Sequence, residues 1–455
     1  MSNIIRVGCF FDGTGEDAYN LLDMKQCNTH FNAQINFEQC NVIKKWNTKG
    51  SSYRNSYTNI FRLFCLYSGD IAIYIEGTGT EKGKRDKRFP DEALGAGKRG
   101  IVAKAKQAIT ELTTKLANIT TPYNKIILDI FGFSRGAASA RHFANEVYKN
   151  KQNKPNVLVQ ALNLEEKNII IEINFIGLFD TVTALGTFKN IFDIASSLNP
   201  GINLYLPPDI ANKVFQLKAD NEYRQYFSLN SVLPEHQEVG LYGAHADVGG
   251  GYTDEDSADV DEETTIQMEP LCIDFTNENQ VKKLNQSIRN SYANYKAYLS
   301  SPDDMSVHEQ QWQEPDLNLL YNKTDVLDRG IYFTVMHRKI KKNFELLAGD
   351  LMRVVAVKHN VPFKLFSDHY IIPDELKPVC ESYYQQIEKL GEHSGSVKVS
   401  QEKERLLFCH YIHCSDSWNT QLIFFYPNKP HLVDGRRIRY CYENKPQKNY
   451  PVQMF

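Results

Sequence analysis

Apolar residues in this chain come in short unbroken runs, separated by stretches with helical spacing. Ile4–Phe11, Asp70–Glu76, Lys125–Phe131, Ile169–Gly177, Glu238–Ala244 and Arg405–Ile412 are runs of a length that suits strands buried on both faces. Between them, Gly100–Asn118 carries Ile101, Ala105, Ile109, Leu112 and Leu116 at helical spacing, and Ser134–Asn150 has the small residues of a closely packed helix. Strands alternating with helices predict a doubly wound, mostly parallel sheet with right-handed crossovers. In such sheets ligands bind outside the carboxyl ends of the strands.

Polar motifs collect at those ends. Phe11-Asp12-Gly13-Thr14-Gly15 closes the first run, Glu76-Gly77-Thr78-Gly79-Thr80 the second and Phe179-Asp180-Thr181 the fourth. His245-Ala246-Asp247-Val248-Gly249-Gly250-Gly251-Tyr252 closes the fifth and His413 the sixth. The third run leads into Gly132-Phe133-Ser134-Arg135-Gly136 and then into small helix formers. That is the pattern of a nucleophile elbow, a turn so sharp that side chains beside the serine would block it. It exposes the hydroxyl at a helix N-terminus and turns the Arg135 N–H toward a developing oxyanion.

A serine hydroxyl needs an imidazole to accept its proton, and the imidazole needs a carboxylate to fix its tautomer. On such sheets the partners follow in the order Ser, acid, His. Asp180 is the favoured acid, with Asp247 its rival at another strand end. His413 and His245 both satisfy the order. His413, in a turn-like segment before Cys414-Ser415-Asp416-Ser417, is the favoured base, and His410 is assigned to packing. A second oxyanion donor is expected from the backbone near Gly13 or Thr14, with Asp12 orienting that loop.

Composition narrows the classes. A chain of 455 residues, 42% hydrophobic, can bury a large core. Its net charge of −3 gives no footprint for nucleic acid. The nine cysteines are scattered without a CxxC pair, which suggests neither a zinc site nor a disulfide framework. The acidic stretch Asp254, Glu255, Asp256, Asp259, Asp261, Glu262 and Glu263 lacks the spacing of a calcium loop and is expected to be a solvated loop, so neither a metal nor a cofactor is called for. The N-terminus begins as a strand with no secretory leader, and no apolar stretch approaches the roughly 20 residues that would span a bilayer. Phe188–Leu198, a short apolar segment between breakers, with Leu204-Tyr205-Leu206 beyond it, is a candidate lid or membrane-touching surface, and equally a candidate core helix.

Phe10-Phe11-Asp12-Gly13-Thr14-Gly15, Gly77-Thr78-Gly79-Thr80, Gly132-Phe133-Ser134-Arg135-Gly136-Ala137, Gly177-Leu178-Phe179-Asp180-Thr181-Val182, Asn221-Glu222-Tyr223-Arg224 and His245-Ala246-Asp247-Val248-Gly249-Gly250-Gly251-Tyr252 together resemble an α/β-hydrolase family. That family includes the first family of bacterial type VI secretion lipase effectors. The resemblance runs from about residue 4 to 255, and more weakly through Ile412-His413-Cys414-Ser415. It implies Ser134 as nucleophile, Asp180 as acid and His413 as base, and hydrolysis of glycerophospholipid acyl esters without a cofactor. It also implies delivery by a secretion machine into a rival's periplasm, a membrane surface as substrate, a spike or adaptor protein as carrier, and an immunity protein as antagonist. The expected fold is α/β-hydrolase-like: a core over 1–184, a lid- or cap-like insertion over 185–237, and a core strand with its glycine turn over 238–252. An acidic loop and helical insertion would fill 253–400, and 401–455 would hold a last core strand with the histidine. Two other readings share these motifs, a soluble carboxylesterase or thioesterase acting on a small ester, and an inactive interaction protein on the same fold.

Overall fold

The strands that bury both faces assemble into one parallel sheet. In the computed structural model the described residues are 4–29, 56–84, 99–148, 169–183, 201–252, 260–266, 271–274, 293–299, 305–310, 329–416 and 430–446, with a few isolated residues between them. The central strands are β1 (Ile4–Phe11), β2 (Ile71–Ile75), β3 (Lys125–Phe133), β4 (Ile170–Phe179), β5 (Lys213–Ala219), β6 (Gln237–Leu241) and the short β7 (Gly395–Ser396). Their order is β7-β6-β5-β4-β3-β1-β2, parallel throughout. The chain leaves β1 toward one edge, returns past it to β3, and then builds toward the other edge. The carboxyl ends of β1 and β3 therefore flank the topological switch point, where such sheets hold their ligands.

Alternation along the strands divides the core into two layers. Phe10, Phe131, Phe175 and Phe215 face one side, covered by α2 (Asn59–Leu66), α6 (Phe344–Lys358), α7 (Lys377–Leu390) and α8 (Gln401–His410). Val7, Cys9, Phe11, Ile130 and Ile176 face the other, under α3 (Ile101–Ala117) and α4 (Arg135–Tyr148). Two further helices, α1 (Ala18–Thr29) and the five-residue α5 (His245–Gly249), follow the ends of β1 and β6. A separate antiparallel sheet joins Val260–Ile266, Leu271–Asp274, Met305–Gln310 and Arg329–Lys341.

Four expectations are corrected. Arg405–Ile412 is not a strand: Ser400 caps a helix over Gln401–His410 with Glu402 and Glu404 in its first turn, and His413 follows that helix. The range 185–237, expected as an insertion, contains β5, a central strand whose polar Lys213 and Gln216 are buried and paired, which hid its apolar pattern. Asp261, Glu262 and Glu263 lie on the strand Val260–Ile266, not in a loop. Phe188–Leu198 lies outside the described residues, as do Asp254, Glu255, Asp256 and Asp259. Leu204 and Leu206 are buried and belong to the core. Among the described residues no helix is long and apolar enough to cross a membrane, and no cluster of side chains could hold a metal.

Candidate active site

Ser134 stands at the turn from β3 into α4 with φ +57°, and Asp180 stands at the end of the neighbouring β4 with φ +44°. Phe133 and Phe179 are register partners, so the two left-handed residues emerge side by side. Left-handed backbone at a non-glycine residue costs on the order of 1–3 kcal/mol and persists where the surroundings enforce it. Here the Ser134 N–H donates to the Phe179 carbonyl at 3.1 Å, and the Asp180 N–H to the Leu217 carbonyl at 2.8 Å. Both residues are almost fully buried.

The glycine of the elbow lets the first strand's loop reach it. A Cβ on Gly136 would lie 2.1 Å from the Asp12 carbonyl oxygen, and one on Gly13 would lie 2.6 Å from the Phe133 ring. The Asp12–Gly15 loop thus sits against the elbow. Asp12 is an organiser of this loop. Its carboxylate accepts from Thr58 Oγ1 at 2.7 Å, Tyr74 OH at 2.6 Å and the Gly13 N–H at 2.7 Å, and burial pushes its pKa up to about 6 against those three bonds. The Gly13 N–H is therefore engaged by Asp12, while the Thr14 N–H makes no hydrogen bond among the described residues.

Asp180 and His245 form one pair. The His245 Nδ1–H donates to Asp180 Oδ2 at 2.5 Å, and its ring packs 4.6 Å from the ring of Phe133 and 5.0 Å from that of Phe227. His245 Nε2 is buried and has no hydrogen-bond partner among the described residues. Burial lowers the His245 pKa below its usual value, partly offset by Asp180. For Asp180, burial works upward, yet the Arg439 charge and His245 hold its carboxyl far below the usual carboxylate range. A neutral imidazole with Nδ1–H held by an ionised carboxylate presents a bare Nε2 lone pair, which is what a general base needs.

Asp247 and His413 form a second pair. The His413 Nδ1–H donates to Asp247 Oδ1 at 2.7 Å, and its backbone N–H donates to Oδ2 of the same carboxylate at 3.0 Å. The Ala244 N–H also donates to that oxygen at 2.8 Å, so Asp247 closes the first turn of α5. The His413 ring stacks on Tyr252 at 3.6 Å. The expected pairing of His413 with Asp180 is thus not what the structure holds: Asp180 takes His245, and His413 goes to Asp247. Chain order allowed both histidines, and only the fold separates them. Sequence reasoning also missed Arg439, whose guanidinium donates to both Asp180 oxygens at 2.8 Å. No motif surrounds it, and its partner is 259 residues away. Glu222, quoted above only for family resemblance, accepts from the His245 N–H at 3.2 Å, from Ser415 Oγ at 3.0 Å and from Arg224 at 2.8 Å.

Residues 144–271 match the family described as the type VI secretion phospholipase effector Tle1-like catalytic domain. The matched stretch contains Asp180, His245 and Asp247. The chain is also similar to a solved structure, the Tle1 effector bound to the VgrG spike from the type 6 secretion system, at 26% identity and a TM-score of 0.64, covering 97% of this chain and 94% of that one. An uncharacterised protein from Pseudomonas aeruginosa matches at 17% identity and a TM-score of 0.38, over 90% of this chain and 53% of that one. Comparison with curated proteins gives no match. The likeness to type VI secretion phospholipase effectors read from the motifs, and the α/β-hydrolase-like sheet expected with it, are both borne out.

Proposed function

We propose that this chain is a serine hydrolase that cleaves acyl esters of glycerophospholipids through Ser134, His245 and Asp180. The observation that carries the reading is the Asp180–His245 pair, set at the strand end beside the elbow, with Nε2 of the imidazole unbonded among the described residues. In this mechanism His245 Nε2 takes the proton of the Ser134 hydroxyl as Oγ attacks the acyl carbon. The tetrahedral oxyanion is met by the backbone N–H groups of Arg135 and Thr14, with Gly13 left to its bond with Asp12. The imidazolium then returns the proton to the departing alkoxide, leaving an acyl-serine. Water, deprotonated by the same nitrogen, releases the fatty acid and restores the hydroxyl. Asp180 stays ionised and fixes the tautomer. No metal or cofactor enters these steps. His413 is moved from the base to a supporting place beside α5.

The similarity to an effector solved on its VgrG spike supports a spike or adaptor protein as carrier; delivery into a rival cell's periplasm, a membrane surface as substrate and an immunity protein as antagonist complete the proposal. The decisive experiment compares the protein with Ser134→Ala on phosphatidylethanolamine–phosphatidylglycerol vesicles and on a short soluble ester, alongside labelling by a fluorophosphonate. Serine-dependent release of fatty acid from vesicles supports the proposal. Cleavage of the soluble ester alone makes the chain a small-ester hydrolase, and an absence of labelling and of turnover makes it a binding protein.

A further inference from the structure

Arg439 has no part in the reaction steps above, yet it makes more contact with Asp180 than the histidine does. Its Nη1 donates to Asp180 Oδ1 and its Nη2 to Oδ2, both at 2.8 Å. The same guanidinium is anchored behind by two carbonyls, Nε to Phe227 at 2.8 Å and Nη1 to Ala219 at 2.9 Å. Those bonds aim the fork before the carboxylate is considered. Ala219 ends β5, and its own N–H donates to Asp180 Oδ1 at 2.9 Å, so strand and guanidinium approach the same oxygen.

The segment that carries Arg439 is itself fastened to the site. The His431 N–H donates to the Tyr223 carbonyl at 3.0 Å, and the Leu229 N–H to the Tyr440 carbonyl at 2.9 Å. Cys441–Tyr442 then pairs in parallel with Leu229–Asn230. Arg439 thus reaches Asp180 from a strand-like stretch held on both sides, not from a loose tail.

We propose that Arg439 is a positioning residue of this site, clamping Asp180 so that one lone pair of Oδ2 is left for His245. The inference rests on the reading of Ser134, His245 and Asp180 as the reacting group. A planar fork fixes the plane of a carboxylate as well as its position, which an ammonium cannot do. The clamp also has an electrostatic side. Asp180 is faced by Arg439 and His245, and His245 by Asp180, with Arg224 and Glu222 beside it. Because Arg439 is permanently charged, it keeps the acid ionised and discourages protonation of the imidazole.

The test uses the full chain and a short soluble ester, with kcat and KM followed from about pH 5 to 9, the range in which a histidine titrates. Arg439→Met is expected to lower kcat by about 10²-fold through misplacement of the acid, with KM within about twofold. With the cation gone the imidazole binds its proton more readily, so the acid limb of kcat/KM should move to higher pH. Arg439→Lys keeps the charge without the fork: its acid limb should stay at the wild-type pH while kcat falls. If Arg439→Met does not fold, Arg439→Lys alone decides. Wild-type kcat in the lysine variant, a displaced limb in it, or a loss in Arg439→Met confined to KM each overturns the proposal. Ser134→Ala, assayed in parallel, separates the two ideas. Full activity there removes the triad, whereas a dead Ser134→Ala beside wild-type Arg439 variants removes only the clamp.

Discussion

Asp180 and Asp247 each hold a histidine by Nδ1, at 2.5 and 2.7 Å, and the pairs meet at one short helix. His245 and Asp247 lie two positions apart on α5, which turns them to opposite sides. Similar in outline, the pairs differ in what else the carboxylate does. Asp180 spends its remaining capacity on a guanidinium and the Ala219 N–H, and sits beside the strand that leads into Ser134. Asp247 spends it on the N–H groups of Ala244 and His413, tying the start of α5 to the segment after α8. On the reading proposed above, an aspartate–histidine contact by itself is no sign of a proton relay, and the carboxylate's other partners are what separate the two pairs.

The widest gap between the pairs should appear when each histidine's loss is measured against that of Ser134, the proposed nucleophile. Ser134→Ala is expected to lose at least about 10³-fold in kcat with melting temperature preserved. His245→Ala should match it and add little when the two are combined, because the residues act as a unit. His413→Ala should cost far less, about 10-fold, with kcat the measurement in each case. The reverse ranking of the two histidines would exchange their roles.

A smaller effect separates the carboxylates. Asp247→Asn removes a charged acceptor of three N–H bonds, two from the backbone and one from the His413 ring, and a loss of roughly 1–3 kcal/mol in unfolding free energy is expected by denaturant titration. Activity at saturating substrate should change much less. A drop in kcat as deep as that of Asp180→Asn, with stability intact, would put Asp247 in the relay.

The least of these effects is a pH shift. Burial lowers the His245 pKa, so the neutral, proton-accepting ring persists to lower pH than a free imidazole allows. The acid limb of kcat/KM should accordingly have its midpoint below about 6.5, the ordinary histidine value. A midpoint above that value would point to an imidazole in a different setting.

Much of this arrangement could be read in advance, for a physical reason. Strands buried on both faces announce themselves as apolar runs, so β1 to β4 and β6 stood out, and a serine between close-approach glycines announces an elbow. β5 did not stand out because its Lys213 and Gln216 are buried on partners that lie elsewhere in the chain. Arg405–Ile412 misled because a short apolar run carries no period long enough to tell helix from strand. The choice between His245 and His413 was open for a different cause: both follow Asp180, and the distinction lies in which carboxylate each meets in space. Arg439 had no local signature at all.

That last distance has a consequence for timing. Asp180 and Arg439 are 259 residues apart, so their contact closes only after the whole stretch between them, and Arg439 itself, has left the ribosome. Loop length itself adds little to the cost of closure, which grows only with its logarithm. Order of synthesis, however, is strict. A nascent chain still short of Arg439 already contains Ser134, Asp180 and His245, but not the guanidinium that bonds the Asp180 carboxylate.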